Sequence, residues 1–248
     1  MFERDLYRFA ESEFGTASSE LAKRSPVEAL VSFYRRHDSA VAKAIEASPS
    51  KPACHSGCSY CCYYKVEARA VEVLAIHQYV LAKFKPELIQ EVLKQANQNV
   101  AEARSMTHLE HLATNQRCPF LINNQCSIYS VRPSKCRNFH AADLQGCKDS
   151  YEQPTNLSIP NSYIPGVFLA ANGVTEGFER ATEESGIDPR VYDLNSALVE
   201  IFQNPKVGKR LRSGKKAFIS AKVVELPIPM PSNNPVKAAP SGRWTLRD

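Results

Sequence analysis

Eight cysteines, Cys54, Cys58, Cys61, Cys62, Cys118, Cys126, Cys136 and Cys147, fall in one window of a 248-residue chain. Residues 1–53 and 148–248 contain none. Thiols used as small core hydrophobes would scatter. Thiols that share a task converge, and thiolates in number imply a soft metal, an iron–sulfur cluster or disulfides. Cys54, Cys58 and Cys61 stand at i, i+4 and i+7, one face of a helix at about 100° per residue, with Cys62 at its edge. A loop could converge the same thiols equally well, and Gly57 would free the backbone to wrap a metal. One tetrahedral Zn²⁺ takes four ligands and one cubane cluster typically takes four thiolates, so eight suffice for two sites, or for one with spares. Adjacent Cys61 and Cys62 point apart, which suits neighbouring metals or a redox role for one of them. Only Cys58-x-x-Cys61 has the spacing of a zinc knuckle. The gaps of 7, 9 and 10 residues between Cys118 and Cys147 are not zinc-finger spacings.

Composition weighs against disulfides. A chain of this length, 43% hydrophobic and 23% charged, can bury a core without covalent staples. It opens on MFERDLYRFAESEFG, charged throughout and without an apolar stretch, so a secretory signal is not expected. No apolar run approaches the roughly 18–20 residues of a membrane span. The expected location is cytoplasmic, where thiols stay reduced and this many of them point to metal or redox chemistry.

The residues between the cysteines sharpen the reading. Cys54-x3-Cys58-x2-Cys61-Cys62 is followed by CPFL-x4-CSIY-x2-RP-x2-CRNF. This pair of motifs resembles the zinc- or iron-chelating cysteine-cluster proteins, the YkgJ-like family named for its CxxCxxCC-type motif. The likeness covers about residues 54–147 and includes Pro119, Phe120, Tyr129, Arg132, Pro133, Arg137 and Phe139. It implies metal chelation by the eight cysteines, of zinc or of iron, the latter including a 4Fe-4S cluster, and it implies little about a reaction. Physically, thiolate sites carry excess negative charge, which Arg132 and Arg137 could offset by charge-assisted hydrogen bonds to sulfur. Pro133 would fix the loop. Phe120, Tyr129 and Phe139 could form a dry wall. His55 and His140 are nitrogen candidates but read as neighbours rather than ligands. His37, His77, His108 and His111 read as helix-face residues. No catalytic residue can be named.

The elements that must position the thiols read as mainly α, a small helical domain with irregular cysteine-bearing loops around a metal site. Three stretches are expected: an N-terminal helical segment (1–50), a cysteine-cluster domain with trailing helices (51–204) and a basic, Pro-rich tail (205–248). Ser25-Pro26 with Glu28 predicts a helix start, the helix running Val27–Ala47. Apolar spacing predicts a helix over 66–83, and Pro86 opens another, from Glu87 to about Ala113. Cys118–Tyr129 predicts a hairpin turning at Asn123-Asn124. Residues 161–203 predict two or three helices, broken at Gly186–Pro189.

The tail carries ten Lys/Arg against Glu225 and Asp248, a net of +8, while residues 1–204 net −3. From Pro227 it is Pro-rich and expected to be disordered. Lys206, Lys209, Arg210, Arg212, Lys215, Lys216 and Lys222 could touch nucleic acid or an acidic protein, although aromatic interleaving is poor. Two alternatives to plain metal binding therefore stand. One is an iron–sulfur-dependent modification enzyme, of a methylase or radical type. The radical type shares the Cx3Cx2C spacing but lacks here the strand–helix alternation of its barrel. The other is a structural-metal module working through its basic tail.

Overall fold

The computed structural model describes residues 2–160, 162–204 and 206–224, so the Pro-rich stretch from Pro227 lies outside the described residues. The protein is mainly helical, in the order α1 (Phe2–Leu21), α2 (Pro26–Ala47), β1 (Glu67–Arg69), α3 (Ala70–Lys83), α4 (Pro86–Ala103), α5 (His108–Leu112), β2 (Leu121–Ile122), β3 (Gln125–Cys126), α6 (Ser134–Arg137), α7 (Leu144–Glu152), α8 (Pro165–Glu184), β4 (Val191–Asp193), α9 (Leu194–Gln203) and α10 (Val207–Leu211).

Helix α2 starts where its sequence says it should. The Ser25 side chain accepts from Glu28 N–H, and the Glu28 carboxylate accepts from Ser25 N–H. Helices α1 and α8 lie in close contact because α8 is glycine-bearing along that seam. A Cβ on Gly173 would lie 2.6 Å from Phe9 Cβ, and one on Gly177 would lie 2.2 Å from the Ala10 carbonyl oxygen. Phe33 of α2 stacks on Phe178 of α8, ring centroids 4.3 Å apart.

Two expected helices are modified. The 66–83 segment begins as strand: β1 pairs antiparallel with β4, Glu67 opposite Asp193 and Arg69 opposite Val191, and the helix starts only at Ala70. A 3.6-residue pattern is indifferent to a short strand buried on both faces, and residues 65–73 are all buried. Within that helix Leu81 is 57% exposed although the apolar spacing includes it. The segment from Pro86 is two helices rather than one, because Thr107 and Glu110 form a second capping box and start α5 afresh. The hairpin stands as expected, with Asn123 and Asn124 at φ 50° and 58°, as a tight two-residue turn requires.

The main core joins elements from both ends of the described chain, from Ala17 and Leu30 through Val73, Ile76 and Leu198 to Phe218 and Ala221, beside a smaller cluster of Val41, Ile164, Val167 and Ala171. Residues 206–224, basic in sequence, thus pack their apolar members Val207, Leu211, Ala217 and Phe218 against the helical body.

Candidate metal centre

The cysteines ride on the least regular part of the molecule. Cys54 and Cys58 sit in a loop, not on a helical face, and only Cys61 and Cys62 enter a single 3₁₀ turn, Tyr60–Tyr63. Gly57 supports the loop with φ 86°, in the left-handed region open to glycine. Cys118 and Cys126 flank the hairpin, Cys136 lies in α6 and Cys147 in α7. All eight are free thiols; Cys54 is exposed and the other seven are half-buried.

Single hydrogen bonds stitch these pieces together. Ala53 N–H donates to the Ala141 carbonyl at 2.8 Å, drawing the first motif to the chain beyond Cys136. Cys118 N–H donates to the Cys62 carbonyl at 2.7 Å, and Tyr64 Oη donates to the Cys147 carbonyl at 3.3 Å. Tyr151 of α7 packs on Tyr60 and Tyr63 of the turn, and Tyr64 meets Phe139 edge-on.

The thiols act on one another. The Cys61 thiol is hydrogen-bonded to Cys62, and this bond, with burial, pushes it well above the ordinary thiol range. Burial and then Cys136, Cys126 and Cys61 push Cys118 up. Burial with Cys61 and Cys126 raises Cys136 to about 12. Burial followed by Cys54, Cys58 and Cys61 raises Cys147 to about 11. Cys54 is raised by burial, Cys61 and Cys58, and Cys126 by burial, with Cys61 adding to it. Cys61 is thus the sulfur whose charge reaches Cys54, Cys118, Cys126, Cys136 and Cys147 alike.

Opposing groups favour the thiolates. The Phe120 N–H points at Cys118 sulfur and the Ile128 N–H at Cys126 sulfur, each two residues beyond its cysteine, and Ala141 N–H serves Cys54. Such N–H donors stabilise the charged form. The Arg132 charge acts on Cys61, Cys126 and Cys136. Its guanidinium also stacks 3.7 Å over the Tyr129 ring, which is 64% exposed and so forms no dry wall. Phe120 is fully buried.

Arg137 departs from its expected role. Its Nη1 holds both Asp38 oxygens at 2.7 and 2.8 Å, Nε donates to the Arg132 carbonyl at 3.1 Å, Nη2 donates to the Ser130 carbonyl, and the group stacks on Tyr34. These bonds occupy all three guanidinium nitrogens with oxygen acceptors, so Arg137 clasps the Cys126–Cys136 loop to α2 rather than serving sulfur.

The sequence did not point to Glu72. This buried carboxylate accepts from Ser134 N–H and Oγ at 2.7 Å each, from Tyr34 Oη at 3.1 Å and from Arg69 N–H at 2.8 Å. It fixes the start of α6, and with it Cys136, to α3 and α2. It falls in the first turn of α3 only because the helix starts at Ala70 rather than at residue 66. Buried Lys65 was also missed; it donates to Glu67 at 2.7 Å beside His108. His55 is exposed with its ring against the Ser56 carbonyl, while His140 is half-buried with Nδ1 unpartnered.

The donor set fits a thiophilic metal: eight free sulfurs, backbone N–H groups aimed at three of them, and the charges of Arg132 and Arg137, both acting on Cys126. Among the described residues no three His, Cys, Asp or Glu side chains are already set to hold one ion. The sulfurs therefore share a neighbourhood and would have to draw together on a metal. Among the basic residues of 206–224, Arg210 is engaged with Glu200 and the Ala217 carbonyl, Lys216 with the Ile219 carbonyl and Lys222 with the Met106 carbonyl. No helix among the described residues is long and apolar enough to cross a membrane.

Residues 53–157 match the family model CxxCxxCC, whose description reads "Putative zinc- or iron-chelating domain". Neither a curated protein nor a solved structure matches the chain.

Proposed function

We propose that this chain, whose residues 53–157 match the CxxCxxCC family model, chelates zinc or iron with the thiolates of Cys54, Cys58, Cys61, Cys62, Cys118, Cys126, Cys136 and Cys147 as its pool of ligands. The observation that carries this reading is the convergence of the two motifs, with Cys118 N–H donating to the Cys62 carbonyl at 2.7 Å, Tyr64 Oη to the Cys147 carbonyl at 3.3 Å and all eight thiols free. Bound zinc would supply a structural or Lewis-acidic centre, and bound iron, as ions or as a cluster, a redox centre.

The chain's own residues do the rest. Burial raises Cys54, Cys118, Cys126, Cys136 and Cys147 and so favours their protonated form without metal; binding then releases protons and weakens as pH falls. The N–H groups of Phe120, Ile128 and Ala141 and the charge of Arg132 favour the ionised sulfurs. Glu72 and the Arg137–Asp38 clasp hold the second motif on the helical body while the exposed first motif closes on it.

The test is metal and acid-labile sulfide analysis of protein purified without oxygen, with an absorbance spectrum of the same sample. Bound zinc or iron that is lost on Cys61→Ser substitution supports the reading. Wild-type protein that takes up neither metal, even when reconstituted under reducing conditions, overturns it.

A further inference from the structure

The basic residues of 206–224 divide into two sets. Arg210, Lys216 and Lys222 turn back on the protein and bond its carbonyls. Lys206, Lys209, Arg212 and Lys215 are exposed, and none has an ion pair or side-chain hydrogen bond among the described residues. The division follows the helix. Along α10 each residue turns by about 100°. With Lys206 at zero, buried Val207 and Leu211 stand at about 100° and 140°, while Lys209 and the C-cap Arg212 stand at about 300° and 240°. The apolar pair faces the body, where a Cβ on Gly208 would touch Leu74 of α3 at 4.0 Å. The cations line the opposite face, one every about 4.5 Å of rise.

This face is held in place. Asp188 N–H donates to the Leu211 carbonyl at 3.1 Å, and Arg210 Nε donates to the Ala217 carbonyl at 2.6 Å. The Glu200 carboxylate accepts from the N–H groups of Ile219, Ser220 and Ala221 at 2.6, 2.8 and 2.8 Å, and Val224 N–H donates to the Val191 carbonyl at 2.9 Å. Gly214, at φ 63° against the Gly186 carbonyl, turns the chain between Arg212 and Lys215. The charges therefore form a fixed, one-sided display, and a ligand has only side chains to order on it.

What such a face fits follows from what it lacks. Protein partners are gripped through an apolar or aromatic centre, and the exposed large apolar side chain of residues 206–224 is Ile219 alone. Single strands are held by stacking bases on rings, and the aromatic residue of this stretch, Phe218, is fully buried. A duplex backbone asks for neither, because Lys and Arg neutralise its phosphates by charge. We propose that the outward face of α10, formed by Lys206, Lys209 and Arg212 and continued by Lys215, binds a double-stranded nucleic acid along its phosphate backbone without reading its bases. This inference stands on the geometry of the segment and is independent of the metal-binding reading.

The experiment is fluorescence anisotropy of labelled mixed-sequence duplexes, one DNA and one RNA, titrated with the full chain between about 50 and 200 mM salt. For DNA, log K should fall against log salt with a slope of about −3.6, four contacts at about −0.9 each, which is roughly 150-fold in affinity over that range. Lys206→Gln with Lys209→Gln should make the slope shallower by about 1.8. Adding Arg212→Gln and Lys215→Gln should abolish binding. All four side chains are exposed, so circular dichroism and Tm should not change. Lys43→Gln with Lys94→Gln removes equal charge from exposed sites on α2 and α4 and should leave the slope as it is. Binding of either duplex on these terms supports the proposal, and the tighter of the two identifies the nucleic acid. No binding at low salt, a wild-type slope in the fourfold variant, or an equal loss in the Lys43/Lys94 variant overturns it. So does tighter binding of a single strand than of the duplex. Binding of poly-glutamate with none of a duplex also overturns it, and makes the partner an acidic protein.

Discussion

The α1–α8 seam and the cysteine-bearing region hold together by different means. In the seam, long helices meet over Gly173 and Gly177, and contact is continuous van der Waals packing. In the cysteine region the regular pieces are a 3₁₀ turn, two-residue strands and a four-residue helix. Separate pieces are joined there by single hydrogen bonds and by two buried charged groups, Glu72 and Arg137. Packing saturates one region and leaves the other open. The lesson is that the helical body needs nothing beyond its own side chains, whereas the thiol region is organised to be completed by an ion.

The largest effect that tests this contrast is metal removal. A ligand that binds only the folded state at a thousandfold excess over its Kd adds about 4 kcal/mol. Stripping the metal should therefore lower the melting temperature and open the 48–64 loop and α7 to proteolysis, while helical circular dichroism is largely retained. Loss of all helical signal on chelation would erase the distinction between the regions.

Next in size is Glu72→Ala, which strikes the joint between them. It leaves Ser134 N–H, Arg69 N–H and the Tyr34 hydroxyl without their acceptor, at a cost of about 3 kcal/mol. Because Cys136 loses its anchor, metal affinity should fall with stability. Denaturant melts and metal titration read the two effects together. Gly177→Ala should cost about 2 kcal/mol by forcing α1 off α8. Metal stoichiometry should stay intact, because that seam contains no cysteine. A metal deficit in folded Gly177→Ala protein would show that the regions are coupled through packing after all.

What was legible beforehand follows the same division. The α2 capping box, the Asn-Asn hairpin and the mainly helical class rest on local chemistry, so they could be read from adjacent residues. The split of the Pro86 segment was also written locally, in Thr107 and Glu110, but continuous polarity masked it. The β1–β4 pairing joins residues more than 120 positions apart, and no local pattern announces it. The cysteines were legible as a class because their types and their intervening residues repeat a motif. The engagement of the Arg137 guanidinium with Asp38 depends on tertiary contacts that composition does not encode.

The smallest effects are pH-dependent and separate the two regions by sign. Burial works to raise the Asp38 carboxyl, but the His37 ring, 3.5 Å away, and the hydrogen bonds and charge of Arg137 prevail and hold it at about 2. A carboxyl lowered by folding contributes stability that is present above its unfolded value, about 3.9, and is lost as pH falls through the folded one. That acid limb belongs to the clasp on α2 and is present in metal-free protein; loaded protein adds to it the loss of its metal as the thiols take up protons. The thiols work the other way. Cys136, at about 12, and Cys147, at about 11, are raised by folding, chiefly through burial. Their contribution is complete below the unfolded thiol value, about 8.5, and is lost as pH rises through the folded values. Metal-free protein should therefore lose stability from about pH 8.5 upward, whereas loaded protein, its sulfurs already ionised and bound, should not share that loss. Melts of both forms across the acid and alkaline ranges should converge on the acid side, where the metal is released, and diverge on the alkaline side. Parallel alkaline limbs would mean that metal does not bind through these thiols.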